Sequence, residues 1–417
     1  MTEHQHQHHG AGQQFAWQPP AAPQPTTPQP LLTPGYPGYG GLPAPAEQRT
    51  PRRGSRLRIG LAGLVAGAVI GGGAGAGVVA LVDEPAAGTG SPASAQSVTI
   101  ENPDRATTAT AAAAKAAPSV VTVYVSSGSG AGSGSGVVLT ADGYVLTNNH
   151  VIAEGASGAG AVQVRTADGT LYDAEIVGTD PASDLAVLRL DGAEDLVAAT
   201  FADSDEVQIG DVAVAIGAPL GLSNTVTDGI ISATGRAVAT GSTQDDATVL
   251  DAIQTDAAIN PGNSGGALVD GAGEVIGINT AIATVASGLP GGQGQSGNIG
   301  VGFAIPANTA QRVAQQIIET GDATRAYLGV RASTAADDQN REVGTGAEVA
   351  LVEPGSAAEE GGLRVGDVVT AVGERPVTTS TELTAAIRSE APGDTVELTV
   401  RRGGDTRTVE VVLGETD

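Results

Sequence analysis

The sequence predicts a mostly β protein, with an all-β unit over residues 113–321, an α+β unit over 325–415, and a disordered tail and one apolar helix ahead of them. Three observations carry this. Short Val/Ile/Leu-rich runs fill the first unit (Val120–Val125, Val137–Leu139, Val162–Arg165, Leu185–Leu190, Val212–Ile216, Ile230–Ala233, Ala267–Val269, Val275–Asn279), separated by glycine-rich or Asp-Gly turns. One helical pattern closes that unit, Asn308–Glu319, with Pro306 before it and Gly321 after. A new series of strands then begins at Arg325 and contains one helix near Thr381–Arg388. Aromatic residues make up 2% of the chain, so both cores must be aliphatic.

Residues 1–56 hold 11 of the 23 prolines, with Gln, Gly and Thr and no apolar period, too little to offset the entropy of ordering. The four histidines in the first ten residues read as a solvated polar tract, and no metal site is assigned. Residues 57–82 form the expected spanning helix, in which Ile59–Val82 is 24 residues long without a charge. Arg49, Arg52, Arg53, Arg56 and Arg58 precede it and Asp83 and Glu84 follow, which keeps the N-terminus cytoplasmic and the rest outside. Its eight glycines leave a flexible linker as the duller reading, and Ala93-Ser94-Ala95 leaves cleavage after Ala95 open. Residues 83–112 read as a tether.

The net charge is −26, and beyond residue 58 the chain holds 15 basic and 44 acidic groups. A surface this acidic disfavours nucleic acid and anionic membrane contact. The chain has no cysteine, which excludes disulfides and thiol chemistry.

The chemistry centres on Gln254–Leu268, QTDAAINPGNSGGAL. A nucleophilic serine needs a tight turn that projects its oxygen, and glycine at 262 permits the dihedrals of such a turn. The segment Gly262, Asn263, Ser264 would supply an oxyanion hole through the N–H groups of Gly262 and Ser264. Read alone, G-N-S-G-G is equally a hairpin turn. The partners weigh against that, because His150 is the only histidine outside the tail. It follows a Val137–Thr147 hairpin turning at Asp142-Gly143. A carboxylate must then fix the imidazole, and Asp184, ahead of Leu185–Leu190, competes with Asp180.

TNNHVI, SDLAVLRL and TDAAINPGNSGGALV, in that order, resemble the signature blocks of HtrA/Deg-type serine proteases. The resemblance implies a chymotrypsin-like double β-barrel of two six-stranded barrels followed by a PDZ domain. It makes Ser264 the nucleophile, His150 the base and acid, and Asp184 rather than Asp180 the orienting carboxylate, with no cofactor. Ala258 and Ile259 would lie at the base of S1 with no acid to hold a cation, implying cleavage after small aliphatic residues. The glycine-rich stretch 283–298 would be a loop beside S1, unordered without peptide. Tyr327, Leu328, Gly329 and Val330 resemble the loop that captures peptide C-termini, and LRVGDVV the central strand of that domain. The implied function is a membrane-anchored endopeptidase of protein quality control acting on unfolded or exported proteins. A protease fold gone idle, with peptide binding as the working part, is the alternative. The family's trimer would have little aromatic contact here beyond Tyr124.

Overall fold

The computed structural model describes residues 106–127, 130–153, 160–218, 224–240, 248–281, 300–337, 339–341 and 343–416. The expected tail 1–56 and spanning segment 57–82 lie outside the described residues, as does most of the tether. Among the described residues no helix is long and apolar enough to cross a membrane.

The first helix, α1 (Thr108–Ala116), begins inside the stretch read as tether, which corrects that reading. Ala109, Ala112, Ala113 and Ala116 recur at helical spacing, form one apolar stripe and pack into the core. Thr107 and Thr110 cap each other's backbone N–H groups, and alanine carries the strongest helix propensity. A composition that looked like filler thus builds a lid on the fold.

The first barrel is made of β1 (Val120–Ser127), β2 (Gly130–Val138), β3 (Tyr144–Thr147), β4 (Ala161–Arg165), β5 (Leu171–Asp180) and β6 (Leu185–Leu190), closed in the order β1-β2-β3-β6-β5-β4. A single helical turn, α2 (Asn149–Ile152), follows β3. The second barrel comprises β7 (Val212–Gly217), β8 (Thr225–Thr240), β9 (Thr248–Thr255), β10 (Ala267–Val269), β11 (Val275–Thr280) and β12 (Gly302–Pro306), closed as β10-β11-β12-β9-β8-β7. The predicted hairpin is present, with Val137 opposite Leu146 and Gly143 at φ 112° in its turn.

Each barrel has an aliphatic interior, and a third cluster fills the space between them. Along β6, Ala186, Leu188 and Leu190 face the first barrel's interior while Leu185 and Val187 face the seam. Along β7, Ala213 and Ala215 point inward while Val214 and Ile216 join the seam. Both faces are buried, which is why these strands read as unbroken apolar runs. Helix α3 (Ala307–Thr320) covers the seam with Ala310, Val313, Ala314 and Ile317, and stops at Gly321 in the left-handed region, φ 88°.

The C-terminal unit pairs β13 (Arg325–Tyr327) with β20 (Gly414–Thr416). Its main sheet runs β14 (Val330–Ala336), β15 (Gly344–Val352), β16 (Val368–Val372), β18 (Thr395–Arg402), β19 (Asp405–Val412), with β17 (Arg375–Pro376) on β16. Helices α4 (Ala357–Glu360) and α5 (Ser380–Ser389) complete it, α5 opening on a Thr379–Glu382 capping box. Helix α5 also packs on β8 and β9 of the second barrel. Across the same interface Arg375 Nη2 stands 2.7 Å from Asp251 Oδ1 as an ion pair. Arg375 also donates to Gly235 O at 2.6 Å, and Arg388 to Val249 O at 3.1 Å.

Candidate active site

The site lies where ends of both barrels meet. His150 sits on the one-turn helix α2, and Asp184 immediately precedes β6 in the left-handed region, φ 53°. That backbone strain is held by three neighbours: the Asp184 carbonyl accepts from Asn148 Nδ2 at 2.9 Å and Asn149 N at 3.1 Å, and Oδ1 accepts from His150 N at 3.0 Å. The carboxylate is thereby set against the imidazole, with Nδ1 at 3.0 Å from Oδ1 and 2.9 Å from Oδ2. Thr280, the last residue of β11, donates to Oδ2 at 3.2 Å. Asp184 is 4% exposed, so water does not compete for these bonds.

Ser264 is brought to the same place by the turn after β9. Asn263 N donates to Asn260 O at 2.9 Å, and Gly262 and Gly265 adopt φ of 102° and 82°. A Cβ at Gly265 would run into the Ser135 carbonyl and the Thr147 hydroxyl, so glycine there is a steric requirement. The Asn263 N–H is thus spent inside the turn. Ser264 Oγ accepts from Ala281 N at 3.2 Å. His150, Gly262, Ser264 and Ala281 line one cavity of about 380 Å³, walled also by Val125 and Val151.

Asp180, the competing carboxylate, is elsewhere. It is buried at the end of β5, 3.9 Å from Arg325 Nε. Ile259, expected at the base of S1, is fully buried in the second barrel's core, and Ala258 gives its carbonyl to Thr227 Oγ1 at 2.9 Å and Asn263 Nδ2 at 3.3 Å. Neither lines the cavity. The expected loop 283–298 lies outside the described residues. Thr280, Asn148 and Ser135 were not legible in the sequence, since a single hydroxyl or amide in or beside a strand carries no pattern of its own.

Tyr327, Leu328, Gly329 and Val330 join β13 to β14 and line a groove of about 240 Å³ with Leu383, Ile387 and Arg388 of α5. The Leu328 carbonyl accepts from Ala358 N at 2.8 Å and the Gly329 carbonyl from Glu353 N at 2.9 Å. In a planar trans peptide the N–H opposes the carbonyl, so the N–H groups of Gly329 and Val330 are turned away from the 353–358 segment.

Among the described residues there is no cluster of His, Cys, Asp or Glu able to hold a metal ion.

Comparison with known proteins agrees with this architecture. A trypsin-like peptidase domain matches residues 134–278 and a PDZ domain residues 326–413. The serine protease PepD of Mycobacterium tuberculosis (strain ATCC 25618 / H37Rv) is 43% identical over 288 residues, 67% of this chain and 60% of the relative. The periplasmic pH-dependent serine endoprotease DegQ of Escherichia coli (strain K12) is 42% identical over 281 residues, 66% of this chain and 58% of the relative. The chain therefore spans less than two thirds of the length of these curated relatives. Among solved structures, the HtrA-type protease AlgW with a tripeptide is 39% identical, with a TM-score of 0.55, over 74% of this chain and 97% of that one. The likeness runs through both folded units in one order, and the chain belongs to the HtrA/Deg-type family of trypsin-like serine proteases with a PDZ domain.

Proposed function

We propose that the protein is a serine endopeptidase of protein quality control, in which Ser264 is the nucleophile, His150 the general base and acid, and Asp184 the carboxylate that orients the imidazole. The observation that carries this is the Asp184 carboxylate seated on His150 Nδ1 at 2.9 Å while His150 and Ser264 face one cavity. With Nδ1 committed to Asp184, Nε2 is the nitrogen left for the serine proton. The hydroxyl oxygen attacks a peptide carbonyl, His150 takes the proton and returns it to the leaving amine, and the N–H groups of Gly262 and Ser264 receive the developing oxyanion. Asp184 stays ionised and stabilises the imidazolium. The cavity's lining among the described residues carries no carboxylate, which supports a preference for small aliphatic side chains over Arg or Lys.

The groove between β14 and α5 takes the C-terminus of a peptide, the chain adding beside β14 and its carboxylate meeting the N–H groups of Gly329 and Val330. Helix α5 walls this groove and rests on β8 and β9, which supports modulation of the protease by the bound peptide. Substrates are unfolded or exported proteins. The protein acts outside the cytoplasm, tethered by the uncharged stretch 59–82, and the periplasmic description of DegQ supports that side of the membrane. β-Casein digestion by the full chain tests the reading. Wild-type protein should cleave it and Ser264→Ala should lose at least about 10⁴-fold in kcat. Equal turnover by the two would leave peptide capture by the PDZ domain as the function.

A further inference from the structure

We infer that Ser135 is a positioning residue for the oxyanion turn, the side chain that holds the turn open for catalysis; the inference rests on the endopeptidase reading above. Ser135 lies on β2 of the first barrel and is 0% exposed. Its backbone N donates to Ser264 O at 2.8 Å, and its carbonyl accepts from Thr147 Oγ1 at 2.7 Å, three residues before His150. Its hydroxyl touches two groups of the second barrel, Ala218 N at 2.8 Å and Gly262 O at 2.6 Å.

The direction of those last two bonds is forced. A backbone N–H can only donate, so Ala218 takes a lone pair of the serine oxygen. The single hydroxyl proton must then go to the Gly262 carbonyl. That fixes the plane of the peptide joining Gly262 to Asn263 and turns the Asn263 N–H to Asn260 O. The Asn263 carbonyl is held by Gly266 N at 2.9 Å and the Ser264 carbonyl by Ser135 N. The carbonyls of 262, 263 and 264 are thereby tied back, and the tie on Asn263 sets the peptide that carries the Ser264 N–H. The Gly262 N–H belongs to the preceding peptide, and the Ser135 bond acts on it through the dihedrals of Gly262 that link the two planes. Of the three residues, Gly262 has the least intrinsic restraint, because glycine tolerates many other conformations besides its φ of 102°. The Ser135 proton is what restricts it.

Two variants test this in the full chain, Ser135→Ala and Ser135→Cys. The thiol fills the site with a larger atom that is a weak donor, so the cysteine variant carries the test if the alanine one, which leaves a void, folds poorly. In the folded protein kcat on a peptide substrate should fall about 10²-fold, the scale of losing an oxyanion donor, with KM little changed. Affinity for a peptide boronate, whose tetrahedral adduct occupies the oxyanion site, should fall with kcat. Hydrogen exchange at 262–265 should quicken. A purely structural serine would lower the melting temperature and leave the kcat and boronate affinity of the folded fraction untouched, which would overturn the inference alone. Absence of any Ser264-dependent hydrolysis by the wild-type chain would overturn the reading of the site and this inference with it.

Discussion

Arg375 and Asp251 form a 2.7 Å ion pair that ties the PDZ domain to the second barrel, from β17 to β9. Burial pushes the Asp251 carboxyl above its ordinary range, with Arg375 opposing that rise. In Arg375→Ala the carboxylate loses its partner in a largely dry setting. The expected cost is about 2–3 kcal/mol, below the ~3–5 of a fully buried pair because Arg375 keeps some solvent. A carboxyl with a raised folded pKa is most unfavourable when ionised, so the deficit should be largest near neutral pH and shrink toward about pH 4. Urea unfolding of both proteins across that range checks it, and coincident midpoints at neutral pH would show the pair to be idle.

Asp184→Asn preserves shape but presents the wrong hydrogen-bonding face to His150 Nδ1. Its kcat should drop about 10⁴-fold near neutral pH. Thr280→Val removes one of the bonds that hold the carboxylate and should cost about tenfold, in line with the loss of one hydrogen bond to a charged group. Single-turnover rates on a chromogenic peptide separate the two, and a Thr280→Val protein as fast as wild type would remove that residue from the site.

Gly329 adopts φ 80°, and a Cβ there would collide with Ser356. Gly329→Ala should displace the loop and weaken a peptide with a free C-terminus by at least about tenfold, because both strain and overlap oppose the native conformation. Fluorescence anisotropy against the same peptide with an amidated end isolates the carboxylate's share. Unchanged affinity would place peptide capture elsewhere.

Asp367 is 1% exposed and grips Arg402 through two bonds of 2.6 Å. Burial raises its carboxyl, but the hydrogen bonds from Arg402 and from the Arg364 backbone outweigh that, and the net position is below the usual value of 3.8. A lowered folded pKa adds stability that is fully present above the unfolded value and lost as pH falls through the folded one. Thermal melts from about pH 6 down to about pH 2 should therefore show wild type losing more stability than Asp367→Asn below about pH 4. Parallel curves would contradict the assignment.

How much of this was readable beforehand depended on whether burial left a pattern. Strands β6, β7 and β11 were legible because both faces are dry. Strand β5, with Tyr172, Asp173 and Glu175, and strand β8 beyond Ala233, with Thr234 and Arg236, carry too many polar residues to announce themselves. His150, Asp184 and Ser264 were singled out by scarcity and by block resemblance. Ser135 and Thr280 were not, because their importance comes from which carbonyl or carboxylate a distant strand brings within 3.3 Å. Ile259 shows the opposite error: expected at the base of S1, it turns into the core.

The aliphatic cores have one further consequence, for spectroscopy. The chain's single tryptophan, Trp17, lies in the tail, and both folded cores are assembled from Val, Leu, Ile and Ala. Among the described residues there is no tryptophan, so neither core carries an indole of its own to report its unfolding. The same silence makes the protein a clean host for an engineered reporter: an indole introduced at Tyr144 or Phe201 would be the one chromophore of its kind within the folded region.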